Sequence, residues 1–107
     1  MGLTEADAKA LVNEGILSAD YDEHEEAVEF YDKALKIIET SETYLNKGIS
    51  LVELEKYEDA LSSYEKAIEV SPGYADAWYN KAELLKHKGQ AAEAETCFAK
   101  VKELEGE

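Results

Sequence analysis

Apolar residues recur along this chain at spacings of three and four, with charged residues between them, and nowhere keep the strict alternation of a half-buried strand. Tyr44, Lys47, Gly48 and Leu51 are spaced three, one and three. Ala60, Leu61, Tyr64, Ala67 and Ile68 are spaced one, three, three and one. Residues so spaced share one face of a helix. Read along the whole chain, the pattern predicts six helices, near 4–19, 24–38, 41–54, 58–70, 75–88 and 91–104. The punctuation agrees: Glu55-Lys56-Tyr57 is a tight joint, and Ser71-Pro72-Gly73 combines two strong helix breakers. Thr4 ahead of Asp7, and Asp22 ahead of Glu25, have the spacing of capping boxes.

The pattern repeats. Ala27, Ala60 and Ala94 recur with offsets of 33 and 34, and so do Tyr31, Tyr64 and Phe98; Leu11, Tyr44 and Trp78; and Gly15, Gly48 and Ala82. Four columns in one register divide the single domain 1–107 into units 8–40, 41–74 and 75–107 behind a leader, 1–7. Each unit is two helices. Small residues at 15, 48 and 82 and at 27, 60 and 94 let the two backbones approach, and Tyr31, Tyr64 or Phe98 fills the space beside them. One such hairpin cannot cover its own apolar stripe, so neighbours must stack, and three units are about the minimum for a stable array.

The columns resemble those of the tetratricopeptide repeat family. Unit two carries Tyr44, Gly48, Leu51, Tyr57, Ala60, Tyr64, Ala67 and Pro72, and unit three Trp78, Leu85, Gly89, Ala94 and Phe98, with Ala82 for the expected glycine and Val101 for the expected alanine. Unit one fits through Gly15, Ala27, Tyr31 and Ala34, but Asp22 replaces the turn glycine and Glu39 the proline. The resemblance implies an all-α fold, a right-handed α-solenoid of three antiparallel helical hairpins, whose concave face, lined by first helices, holds a peptide.

First helices carry a second face, one residue on and about 100° around. It is Val12, Ile16 and Ala19 in unit one, Leu45, Ile49 and Val52 in unit two, and Tyr79, Glu83 and Lys86 in unit three. A helix apolar on two faces either packs between neighbours or holds something. Asn13, Asn46 and Asn80 form a further column, placed either to bond between helices or to pair with the backbone of an extended peptide. The candidate groove is therefore Val12, Asn13, Ile16, Leu45, Asn46, Ile49, Val52, Tyr79, Asn80 and Glu83, apolar at one end and polar at the other. Family members that grip acidic chaperone tails use a clamp of lysine, arginine and asparagine. The matching places here hold Val12, Ile16, Asn46, Asp76 and Asn80, which argues against that partner.

Charge narrows the partners further. The 25 acids and 11 bases give a net −14, and every base is lysine. Such a surface repels phosphates, which excludes nucleic acid and anionic membrane as expected partners. The acid is graded, from −6 over residues 8–40 to −2 over residues 75–107. It either keeps the chain soluble or steers a basic partner. On second helices the apolar pairs Val28 with Leu35 and Leu61 with Ile68 give way to Glu95 with Lys102, so the last helix is expected to form a polar edge of the array, the alternative being a further helix packed on Phe98, Val101 and Leu104.

Catalytic chemistry has no sequence foothold. His24 and His87 occupy non-equivalent places, the acids around Asp20 and Asp22 lack a calcium loop's glycine and spacing, and no phosphate loop or nucleophile motif occurs. No cofactor and no metal are expected. Cys97 is alone, which suits a reducing compartment, and no apolar run reaches the roughly 18 residues of a membrane span. The expected protein is a cytoplasmic, non-catalytic interaction scaffold whose partner is a protein or peptide, apolar with some positive charge. The alternative is a structural homo-oligomer built through the apolar groove or the last helix.

Overall fold

The computed structural model describes residues 2–106. Its helices are α1 (Glu5–Asp20), α2 (His24–Ile37), α3 (Ser41–Glu53), α4 (Tyr57–Val70), α5 (Ala75–His87) and α6 (Ala91–Leu104), and the described residues form no strand. They pair as three hairpins, α1 with α2, α3 with α4 and α5 with α6, stacked in chain order into an all-helical solenoid. Its extents of 47 × 27 × 19 Å are those of an elongated stack.

Local chemistry sets the helix ends. The Thr4–Asp7 capping box forms: the Thr4 hydroxyl accepts from the Asp7 N–H at 3.3 Å, and the Asp7 carboxylate accepts from the Thr4 N–H at 2.7 Å. The box expected at Asp22 and Glu25 does not, because α2 starts one residue too late for it, behind Glu23, which makes no side-chain cap. Asp22 is instead the left-handed residue of the α1–α2 turn, at φ +63°, and Glu55 and Gly89 play the same part in the next two turns, at +61° and +81°. Each turn closes with the same pair of backbone bonds: Glu23 N–H to Ser18 C=O, Lys56 N–H to Leu51 C=O and Gln90 N–H to Leu85 C=O, all 2.8 Å, beside a shorter-range bond from the left-handed residue itself. That is a Schellman closure, which satisfies the last helical carbonyls. Asp22 and Glu55 therefore adopt a backbone that costs a side-chain-bearing residue about 1–2 kcal/mol. Thr40 adds a cap that the pattern alone did not flag, its hydroxyl accepting from the Thr43 N–H at 3.2 Å.

The close approach of paired helices rests on glycine. A Cβ placed on Gly15 would lie 2.5 Å from the Tyr31 ring, and one on Gly48 would fall inside the Tyr64 ring contact, both rings being buried. The third hairpin has Ala82 in this place, and there the aromatic, Phe98, is only half-buried and meets Tyr79 edge-on at 5.9 Å. A methyl thus displaces the ring that a hydrogen admits. Gly48→Ala should destabilise the domain by about 1–2 kcal/mol, overpacking of about 1–3 kcal/mol outweighing the roughly 1 kcal/mol gained in helix propensity. The urea midpoint reads this directly, and an unchanged or raised midpoint would mean that Tyr64 moves aside freely.

Successive hairpins are joined by repeated contacts. Tyr44 and Trp78, which share a column, each tether a first helix to the loop before it: the Tyr44 hydroxyl donates to Glu39 at 2.5 Å, and Trp78 Nε1 donates to the Pro72 carbonyl at 2.8 Å. Lys47 with Asp32 (2.7 Å) and Lys81 with Glu65 (3.5 Å) are ion pairs across the two joints. The first joint also holds His24, with Nδ1 3.1 Å from the Ser50 hydroxyl and Nε2 3.3 Å from Asp22, beside the apolar contact of Val28 with the second repeat. At the second joint Leu84 is buried in one cluster with Leu45, Leu51, Ala60 and Tyr64. The position of each first helix in the stack also defines a curve. α1 touches α3 and α3 touches α5, whereas no second helix touches another. First helices therefore line the inside of the bend, second helices the outside.

Candidate functional site

The concave wall is α1, α3 and α5, and the expected groove residues all fall on these three helices. Ile16 and Ile49, equivalent in the repeat, are each 39% exposed, and Tyr79 is 47% exposed. Exposed isoleucines at equivalent places on α1 and α3 form an apolar surface in search of cover, while Tyr79, the equivalent of Leu45, stands beside Phe98 on the third hairpin. Asn13 and Glu83 are exposed as well, while Val12, Asn46, Val52 and Asn80 are half-buried. Leu45 departs from the expectation. It is 6% exposed and belongs to the core between repeats two and three, where Val52 packs against the same cluster. Helical spacing placed Leu45 on the right side of α3, but a neighbouring repeat covers it.

The asparagine column also resolves. Asn80 Nδ2 donates to the Asp76 carbonyl of its own helix at 2.8 Å, which fixes the amide and leaves Oδ1 as its acceptor. Asn13 and Asn46 make no comparable bond among the described residues.

Two clefts open beside this wall. One, of about 570 Å³, lies at the seam of repeats one and two; Ala8, Val12, Ala34, Ile38 and Thr43 line it, with Glu5, Lys9 and Glu42 among its polar neighbours. The other, of about 250 Å³, lies at the seam of repeats two and three, between Val52, Tyr57, Tyr64, Asn80, Glu83, Leu84 and His87. The residues missed by sequence reasoning are those of loops and second helices, Ile38, Tyr57 and Tyr64 above all. Their columns read as turn and core, and only the stacking shows that they also wall a cleft. One carboxylate, Glu83, lines the second cleft. Glu83 accepts from the Tyr79 hydroxyl and raises its pKa, and burial pushes the Tyr64 hydroxyl up to about 12, with the Glu53 carboxylate adding to the shift.

Other chemistry-bearing groups are closed. Ser50, His24 and Asp22 stand in hydrogen-bonded order, but Ser50 is 1% exposed, so the trio is a joint between repeats with no access for a substrate. Cys97 is 5% exposed and burial raises its pKa, which keeps it a thiol. No group of three or more His, Cys, Asp or Glu among the described residues is arranged to hold a metal ion. No helix among them is long and apolar enough to cross a membrane.

A curved stack of helical hairpins with an apolar inner wall defines a class, the α-solenoids with a concave groove. Within it the family is clear. The tetratricopeptide repeat model matches residues 45–104, more than half the chain, and a second tetratricopeptide repeat model matches residues 8–40, so the chain belongs to the tetratricopeptide repeat family. Comparison with curated protein sequences returns no match. Among solved structures, the chain is similar to the first repeat domain of Spaghetti (RPAP3) bound to the HSP90 peptide SRMEEVD, at 20% identity and a TM-score of 0.91, covering 97% of this chain and 85% of that one. The Sgt2 domain from Aspergillus fumigatus is similar at 24% identity and a TM-score of 0.88, covering 94% and 67%. MamA is similar at 20% identity and a TM-score of 0.86; the match covers 92% of this chain but 58% of MamA. At these identities the likeness is one of fold.

Proposed function

We propose that this chain is a non-catalytic protein–protein interaction module that holds an extended or helical peptide segment, apolar with some positive charge, in its concave groove. The observation that carries this is the exposure of Ile16 and Ile49 at equivalent places on the inner wall. An aligned apolar strip of this kind is stabilised when a partner removes it from water, at about 25 cal/mol for each Å² buried. The net −14 around it favours a basic partner over an acidic one. The family and the peptide-bound neighbour support a peptide ligand in general, but this groove carries Val12, Ile16 and Asp76 where an acidic tail would need cations. The unpaired Cys97 suits a reducing, cytoplasmic setting.

The test is retention of peptides by the purified domain, identified by mass and then measured singly. Ile16→Glu and Ile49→Glu should abolish retention while leaving the fold intact, because both side chains are already partly in water. Asn46→Ala should weaken binding by about 0.5–1.5 kcal/mol, one hydrogen bond's net worth. The peptide SRMEEVD is the control, expected not to bind. Full retention by the glutamate variants, or binding of SRMEEVD, would overturn the reading.

A second reading has one observation behind it. A cleft of about 490 Å³ on the outer end of the third hairpin, lined by Tyr79, Phe98 and Val101 among charged residues, offers another copy a seat on the last helix. A homo-oligomer built there would show as rising mass in light scattering across a concentration series, and a strict monomer at high concentration removes it.

A further inference from the structure

The cleft at the seam of repeats two and three has a chemistry of its own, distinct from the apolar wall it opens from. At about 250 Å³ it is smaller than the roughly 300–1,000 Å³ of pockets that hold whole ligands, and so is sized for one side chain. Its sides are aromatic: Tyr57 and His87 stand with ring centroids 5.1 Å apart at 52°, a tilted pair, and Tyr64 closes the inner end beside Gly48. Beside the hydroxyls of Tyr57 and Tyr64 and the His87 ring, two of its polar groups offer acceptors. Glu83 brings a carboxylate to the rim, and Asn80, its amide N–H₂ already held by the Asp76 carbonyl, has its oxygen to offer. Of the bases beside these residues in sequence, Lys81 is paired with Glu65 and Lys88 with Glu58, while Lys86 is exposed.

Flat aromatic walls, a carboxylate and an amide oxygen together suit a planar cation. A guanidinium donates in a fork to a carboxylate and stacks on an aromatic face, which a compact ammonium does less well. We propose that this seam cleft is a subsite for an arginine side chain of the peptide partner, Glu83 accepting from its guanidinium, the tilted Tyr57–His87 pair forming the wall on one side of it and Asn80 accepting at its edge. The assignment rests on the groove reading above and adds to it where along the groove the partner's positive charge sits. The apolar anchor of the same partner then lies toward Ile16 and Ile49, and the arginine toward α5. The charge sense is the inverse of a clamp for carboxylates.

The test uses small probes on the intact domain, so that it does not depend on knowing the partner. N-acetyl-arginine amide is titrated while backbone amide shifts are followed by NMR, against the neutral isostere N-acetyl-citrulline amide and against N-acetyl-lysine amide. Arginine is expected to bind with millimolar affinity and to shift the amides of Val52, Tyr57, Asn80, Glu83, Leu84 and His87. Citrulline should leave them in place, and lysine should bind more weakly. Glu83→Gln, at an exposed position, should weaken the arginine probe about tenfold, the loss of one hydrogen bond to a charged group. The proposal is overturned by an equal response to citrulline or lysine, by indifference to Glu83→Gln, or by shifts spread over the acidic α1 and α2 instead of the cleft. Failure of the groove reading looks different: the arginine probe still shifts the cleft, but no longer peptide is lost with Ile16→Glu or Ile49→Glu.

Discussion

Replacing Tyr64 by alanine is expected to cost about 3–5 kcal/mol, the range for truncating a buried aromatic. Its ring is 2% exposed, lies against the bare Gly48 backbone, and shares a cluster with Leu45, Leu51, Ala60 and Leu84 that spans repeats two and three. Nothing can fill the space left behind, because the two helices are already at the separation that glycine allows. Against a total of about 5–15 kcal/mol for a domain, such a loss leaves a chain that melts near room temperature or does not fold. Tyr64→Phe separates the ring from its hydroxyl. The hydroxyl pKa stands near 12 in the fold against an ordinary 10.0, so the folded chain keeps a proton that the unfolded chain loses. Stability from this group is fully present below pH 10 and is lost as the pH rises through about 12. Tyr44, raised to about 12 chiefly by its bond to Glu39, adds to the same window. Tyr64→Phe should therefore fold well at neutral pH and lose less stability than the parent between pH 10 and 12. Thermal melts across that range read both variants, and a Tyr64→Ala chain within about 1 kcal/mol of the parent would refute the packing account.

These columns were legible in the sequence because they join two independent signals, a helical stripe and a repeat offset. Gly48 with Tyr64 could be read as small against large before any coordinates, and so could the six helices. What spacing cannot give is the identity of the neighbour. Leu45 and Ile49 lie four residues apart on one face of α3, yet a neighbouring repeat covers the first and leaves the second 39% exposed. Asp22 misled in a related way. Its distance to Glu25 suits a cap, but the Schellman closure of α1 claims it first, since the chain must turn left-handed there to satisfy the carbonyls of Ser18 and Ala19. The arginine cleft was invisible for a third reason. Tyr57 belongs to a second helix and His87 to the end of a first one, and they meet only because two hairpins stack.

The stacking has a consequence that one repeat column tests. Leu17, Ser50 and Leu84 are equivalent positions on α1, α3 and α5, each on the side that faces a preceding repeat. Leu84 is 4% exposed against the second hairpin, while Leu17, on the first of the described hairpins, is 52% exposed. Leu84→Ala should cost about 2–5 kcal/mol and Leu17→Ala less than about 0.5 kcal/mol, though the two substitutions are chemically identical. The loss at Leu84 should also be local in its effect. In a nearest-neighbour array, weakening one joint frees the unit beyond it before it unfolds the rest. Hydrogen exchange should then show α5 and α6 opening ahead of α1 to α4 in Leu84→Ala, with the parent opening more nearly as one unit. At the first joint His24 and Ser50 carry a hydrogen bond where Tyr57 and Leu84 carry apolar contact, so the two joints differ at this pair of positions. Equal loss of protection over all six helices would mean that the joints do not act separately and that the domain behaves as a single cooperative core.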